Sequence, residues 1–165
     1  MSDLASLIEV EGIWKRRMER AEEALRAAQR HEQHARQVLE SARVSLAHYI
    51  EQLPGLIEQL YADCIGHLVT RQFVQDKSYD EGRLRARVAE LRAEVVEAEK
   101  GVEAAIEAVR QAQAALNKER LKLEAMRDLI KQERVKIAVA EGRSLAKTLD
   151  DLSGAKFARG LRKAS

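Results

Sequence analysis

The chain is poor in the residues that break helices, close disulfides or fill thick cores. Its 165 residues include one Pro, one Cys and 8 Gly, and aromatic residues make up only 4%. A lone cysteine, Cys64, excludes an internal disulfide and fits a reducing compartment. The net charge is only +2, so composition gives no strong attraction to nucleic acid. The N-terminal residues do not resemble a secretory signal, and no apolar run is long enough to predict a membrane span.

Charged residues, by contrast, make up 34% of the chain, and two long rows of apolar residues run between them. One row covers residues 4–60 and the other covers residues 84–140, and both alternate steps of three and four. This spacing is typical of a coiled-coil seam. Only charged residues interrupt the rows: Glu11, Glu32, Glu119 and Glu133. Two seams of equal length, joined by a polar stretch, predict an all-α fold, a long antiparallel two-helix coiled-coil hairpin.

The breakers and polar stretches predict where the helices begin and end. Pro54-Gly55 is expected to kink the first helix, because proline removes a backbone hydrogen bond, while a true turn there is the alternative. The polar segment around Tyr79 is the predicted turn, with Ser78 as the cap of the second helix. The sequence thus predicts a single hairpin over 1–152, with helix 1 at about 3–74, a turn at about 75–80, helix 2 at about 80–152, and a basic, disordered tail at 153–165.

Packing between the two rows favours one register. If Leu46 faces Ala112 and Leu53 faces Ala105, large residues meet small ones along the seam, which fills space evenly. A register one heptad shorter would oppose Glu32 and Glu119, which is unfavourable in a partly dry seam. The preferred register centres the turn on Tyr79.

Candidate chemical sites are few. His31 and His34 lie one helical turn apart, as do Cys64 and His67, but neither pair has further ligands nearby, so we predict no metal site and no cofactor. The sequence contains no phosphate-binding glycine loop and no hydrolase or zinc-protease motif. The seam glutamates are interpreted as residues that set the register, and we predict that the protein is not an enzyme.

Basic residues form two clusters that the hairpin would bring to the end away from the turn. An acidic protein partner could bind there, although a solvated helix face with paired charges is the alternative interpretation. The clusters comprise Lys15, Arg16, Arg17 and Arg20 in helix 1, and Lys131, Arg134, Lys136 and Arg143 in helix 2.

Several of these features resemble the FliJ/YscO family, the stalk proteins of flagellar and injectisome type III secretion. The chain has the appropriate length, two long helical arms and a basic C-terminal tail. Leu7-Ile8, followed by Lys15-Arg16-Arg17 and Arg20-Ala21-Glu22, is similar to the family's basic start and Arg-Ala-Glu step. The Pro54-Gly55 segment has no place in the family pattern. The lack of a flagellar motif favours an injectisome, and hence a role in virulence.

The resemblance implies a central stalk that couples the hexameric secretion ATPase to the export gate, and some members also bind export chaperones. It implies a cytoplasmic protein, peripheral at the inner-membrane secretion apparatus. The gate contact would lie early in helix 2, at Leu84, Val88 and Leu91, which are also seam residues. The ATPase-facing end would carry Trp14, Lys15, Arg16, Arg17, Arg20, Lys131, Arg134 and Lys136.

A generic coiled-coil scaffold or adaptor is the alternative function. Extra apolar residues flank the first seam and could pair two hairpins into a homodimeric four-helix assembly. They are Ile8, Ile13, Ala24, Val38, Ile50 and Ile57.

Overall fold

The computed structural model describes the backbone of residues 3–163 and the side chains of 3–159 and 162. Two α-helices account for most of this chain: α1 spans Asp3–Tyr61 and α2 spans Arg71–Lys163. A short 3₁₀ helix, Ala62–Cys64, follows α1. The described residues contain no strand, and the two long helices pack against each other. The predicted all-α helical hairpin is therefore confirmed.

The described chain divides into two compact units. One unit, which we call the turn unit, comprises residues 23–114 and includes the connection between the helices. The other, the terminal unit, combines the start of α1, up to Glu22, with α2 from Ala115 onward. The prediction of a single domain stays a prediction, and residues 1–2 and 164–165 lie outside the described residues.

The core lies on α2, at positions that belong to the predicted second seam. None of the α1 residues is fully buried, and the seam residues of α1 are half-buried. The buried residues recur at steps of three, four or seven and their sums, as expected where two helices bury one narrow stripe each. They are Leu91, Val102, Ala105, Leu116, Leu123 and Ile130.

The turn predicted at about 75–80 was wrong, because those residues lie inside α2. The connection instead spans residues 62–70, where Gly66 has a positive φ of 79° that L-residues rarely adopt. Thr70 caps α2, since its Oγ1 accepts a hydrogen bond from the Phe73 backbone N–H at 3.1 Å. Polar residues beyond it stay helical, helped by side-chain pairs such as Gln72 with Asp76, 2.9 Å apart.

The preferred register was also wrong. In the turn unit Arg43 contacts Glu99 at 3.1 Å and the Tyr61 hydroxyl contacts Glu81 at 2.8 Å, so the helices pair just over two heptads away from the predicted alignment. A shift by about whole heptads keeps the same residues in the seam but gives each of them a different partner, which explains why the core was predicted correctly and the alignment was not.

The two ends of the predicted seams also need correction. Helix α1 continues through Pro54 to Tyr61, so the alternative of a true turn at Pro54 is excluded, but α1 stops well before residue 74. At the other end, Ile137 and Ala140 are exposed and lie outside the packed seam. The tail predicted to be disordered from residue 153 is helical as far as Lys163. The two glycines of this segment, Gly154 and Gly160, each cost only about 1 kcal/mol, and the alanine, lysine and arginine residues around them favour helix.

Candidate partner-binding surfaces

The terminal unit holds the predicted ATPase-facing residues on the paired part of α1 and on α2. Two ion pairs between the helices show how they are aligned. Arg127 Nε lies 3.0 Å from Glu11 Oε1, and Arg120 Nη2 lies 3.1 Å from Glu22 Oε1. Both pairs are partly exposed, so each contributes little stability and mainly selects the alignment. Sequence reasoning missed them because both pairs depend on how the two helices are aligned.

The only tryptophan, Trp14, is half-buried beside α2. Lys122 Nζ lies 5.2 Å from the centroid of the indole ring and 3.1 Å from Glu119 Oε1. Glu119 Oε2 is buried and has no hydrogen-bond partner among the described residues. The pair of Glu119 with Lys122 lies within α2, whereas the contact of Lys122 with Trp14 crosses the seam and was not foreseen from the sequence. Trp14 is held in the hairpin and is not displayed at its surface.

The basic cluster on α1 is exposed. Lys15, Arg16, Arg17 and Arg20 form no ion pair with any residue that the structure describes. Four cations within two turns repel one another, and their unpaired state leaves them available to an acidic partner. This is the strongest local concentration of unpaired basic charge on α1.

The predicted basic cluster of α2, which begins at Lys131, does not lie beside the α1 cluster. The ion pairs of Glu11 and Glu22 place residues 15–20 opposite α2 residues of about 118–127, whereas Lys131 and the residues after it lie further along α2. At 1.5 Å per residue the two predicted clusters are offset by about 10–20 Å. Lys131 is 3.4 Å from Asp128 and Lys136 is 2.6 Å from Glu133, while Arg134 is exposed. The structure thus places both clusters in the terminal unit but does not merge them.

In the turn unit the predicted gate-facing residues belong to the seam. Leu91 is 5% exposed, and Leu84 and Val88 are half-buried. The Leu84 carbonyl accepts a hydrogen bond of 2.9 Å from the Tyr49 hydroxyl on α1. The exposed residues that flank this stretch, Arg83 and Arg92, belong to the surface of α2.

Hydrogen bonds among three polar side chains join α1 to α2 next to the connection. The Tyr61 hydroxyl donates to Glu81 Oε2 at 2.8 Å, and Arg85 donates to Glu81 Oε1 at 2.8 Å. The hydrogen bond from Arg85, followed by that from Tyr61, lowers the pKa of Glu81. The hydrogen bond to Glu81 in turn raises the pKa of Tyr61, because it favours the protonated phenol.

The histidine and cysteine pairs show no metal geometry. No group of three or more potential His, Cys, Asp or Glu ligands is found among the described residues. His67 Nδ1 lies 3.0 Å from the Ile65 carbonyl, within the connection, and Cys64 is half-buried. In the part of the chain that the structure describes, no helix combines the length and the apolar character that spanning a membrane would need.

Together the fold and these surfaces define an antiparallel coiled-coil hairpin that presents exposed, charged helix faces to other molecules. A family described as type III secretion protein YscO matches residues 4–146, which is most of the chain. The chain therefore belongs to the YscO family of type III secretion proteins, as the resemblance in its sequence indicated. No curated protein and no solved structure matches it at a significant level.

Proposed function

We propose that this protein is the central stalk of a type III secretion export apparatus and couples the hexameric secretion ATPase to the export gate. Membership of the YscO family supports a role in type III secretion. The observation that favours the ATPase as partner is the unpaired basic cluster of Lys15, Arg16, Arg17 and Arg20 on the terminal unit. In this proposal the protein works in the cytoplasm, at the inner-membrane face of the apparatus, and export chaperones also bind it.

The mechanism is positional and requires no catalytic group on this chain. Two helices that enter a ring of six subunits cannot contact all six equally. The subunits that they touch are biased toward one conformation, and the free energy of contact is thereby converted into an altered assembly or hydrolysis rate. The basic cluster supplies long-range attraction and orientation toward acidic groups of the ring. In this proposal Lys131, Arg134 and Lys136 form a second, separate part of the ATPase-facing surface further along α2, and Trp14 contributes by holding α1 against α2.

The stretch of α2 around Leu84, Val88 and Leu91 is the proposed gate-facing region. Because those side chains pack in the seam, we assign the direct contact to exposed neighbours such as Arg83 and Arg92. The three apolar residues then hold this part of α2 in place.

Binding of the purified chain to its cognate secretion ATPase tests the proposal. We expect a complex at low salt that weakens as salt rises, since exposed basic residues dominate the contact. Arg16→Glu combined with Arg17→Glu should lower the affinity by about tenfold or more, as loss of charge complementarity does at protein interfaces.

Arg26→Glu combined with Arg30→Glu is the matched control. Both residues are exposed on α1, lie in the turn unit and form no ion pair among the described residues, so the same change of charge should leave the affinity nearly unaltered. Equal losses in the two variants, or no complex with the unaltered chain at low salt, would refute the proposed surface.

A further inference from the structure

The last part of α2 is a helix that nothing in the described chain covers. All described side chains of residues 134–159 are exposed, and we call residues 134–163 the α2 extension. Leu145, Leu149 and Leu152 are 65%, 63% and 55% exposed, and their spacing places them on one face. A contiguous row of exposed leucines is unfavourable in water and marks a surface that binds another molecule.

The α2 extension is also strongly basic. Its sequence contains eight basic residues and three acidic ones, namely Arg134, Lys136, Arg143, Lys147, Lys156, Arg159, Arg162 and Lys163 against Glu141, Asp150 and Asp151. Lys156 and Arg159 follow Leu152 by four and seven residues, so they continue the leucine face. A surface that accepts this face must therefore offer both an apolar floor and negative charge.

The turn unit contains such a surface between α1 and α2. It is a groove of about 1090 Å³ whose floor is built largely from small residues, among them Ala35, Ala42, Ala98 and Gly101. Small residues on both helices leave room between their outer faces, where a third helix can insert apolar side chains. We call this surface the small-residue groove.

Glutamate residues along the α2 side of the small-residue groove make it acidic. Glu90, Glu94 and Glu97 line it, whereas no lysine or arginine does. Glu90 and Glu94 pair with Arg87 at 2.8 and 3.4 Å, and Glu97 pairs with Lys100 at 3.0 Å. All three glutamates are exposed, so these pairs are weak and can be exchanged for others. Val38, which is 46% exposed, adds a larger apolar contact on the α1 side.

We propose that the α2 extension of one copy of this protein lies in the small-residue groove of a second copy. The leucine face would cover the groove floor, and Lys156 and Arg159 would meet the row of glutamates. The α2 extension is basic where the small-residue groove is acidic, and both surfaces are partly apolar. These two properties support a second copy of the chain as the occupant of the groove. The interaction goes beyond the proposed ATPase contact, because it requires only this chain.

The oligomeric state of the purified full chain, measured by sedimentation equilibrium, tests this inference. We expect a dimer that dissociates on dilution. Leu145→Glu combined with Leu149→Glu should raise the dissociation constant by about tenfold or more, as loss of central apolar contacts does at interfaces. Leu121→Glu is the matched control, because Leu121 is 67% exposed but lies outside the α2 extension and the groove.

A charge exchange tests which surfaces meet. Glu94→Lys with Glu97→Lys, and separately Lys156→Glu with Arg159→Glu, should each weaken self-association, whereas mixing the two variants should restore a heterodimer. All four residues are exposed, so folding is expected to be preserved and can be checked by circular dichroism. A photo-crosslinker at position 149 should attach to residues 31–45 or 90–101 of an isotope-labelled second copy.

Three results would overturn the inference. The unaltered chain could remain monomeric at every concentration tested, the leucine variant could dimerise as well as the Leu121 control, or the crosslinks could join two α2 extensions. Since no ATPase is present, these outcomes are independent of whether the stalk proposal holds.

Discussion

Single charged residues in the seams disfavour incorrect alignments of the two helices. Glu119 lies in the α2 seam, with one carboxylate oxygen held by Lys122 at 3.1 Å and the other buried without a partner among the described residues. Burial of an unsatisfied carboxylate oxygen is unfavourable, whereas an apolar residue at the same position would pack. Glu119 is thus expected to reduce stability while it disfavours other alignments.

Replacement of Glu119 by leucine should therefore stabilise the hairpin, by about 1 kcal/mol or more, because it removes a partly buried charge from the seam. Urea denaturation followed by circular dichroism measures the change. Glu124→Leu is the control, since Glu124 is exposed on the same helix and its replacement should be nearly neutral. A clear loss of stability in Glu119→Leu would show that the carboxylate is fully satisfied in solution.

Glu81 provides a pH-dependent contact near the connection. Its pKa is lowered, mainly by Arg85 and then by Tyr61, so its stabilising effect is present above the ordinary glutamate pKa of 4.5 and is lost as the pH falls through its folded-state pKa. In an NMR titration its carboxyl should titrate below 4.5. Arg85→Gln should raise the pKa of Glu81 more than Tyr61→Phe does. The opposite order would contradict the hydrogen-bond assignment.

At the scale of elements, the connection rather than the seam fixes where α1 ends. Gly66 adopts a left-handed conformation, and Thr70 supplies the first cap of α2. Pro54, by contrast, is accommodated inside α1. Gly66 and Thr70 were the signals that sequence reasoning overlooked, since it gave more weight to the polar composition of residues 75–80.

Two glycine substitutions should have opposite effects for this reason. Gly66→Ala should destabilise the protein by about 1 kcal/mol, because an alanine at that φ is strained. Gly55→Ala should stabilise it by about 0.5–1 kcal/mol, because Gly55 is helical and a Cβ there meets no atom within 4 Å. Chemical denaturation measures both changes, and an equal sign for the two would argue against the turn at residues 62–70.

The exposed α2 extension predicts a gradient of protection along α2. At dilutions that disfavour self-association, amide hydrogens of residues 134–159 should exchange much faster than those of residues 102–130, because only the latter lie around buried seam residues. Hydrogen exchange with mass spectrometry measures this directly. Equal protection in both segments of the dilute protein would mean that another part of the chain covers the α2 extension.

For the whole molecule, the sequence specified the class of fold and most of the core but not the alignment of the helices. Leu116, Leu123 and Ile130 were placed in the seam by their spacing alone, and all three are buried. Heptad-related alignments bury the same residues, however, so large-against-small packing could not distinguish them energetically. The ion pairs of Glu11 and Glu22, which do distinguish them, depend on the alignment itself.

The proposed ATPase-facing surface was likewise predicted in part. Sequence reasoning identified the basic residues of the terminal unit, since charge is visible in composition. It merged two clusters that the observed alignment separates. This difference follows from the misplaced turn, because a later turn would have placed residues 134–140 against the first part of α1.

The most direct test of the stalk proposal is the steady-state hydrolysis rate of the cognate secretion ATPase as the full chain is titrated in. We expect the rate to rise and then saturate, with Arg16→Glu combined with Arg17→Glu losing most of the increase and Arg26→Glu combined with Arg30→Glu retaining it. A rate that stays unchanged while a complex forms would contradict the proposed coupling.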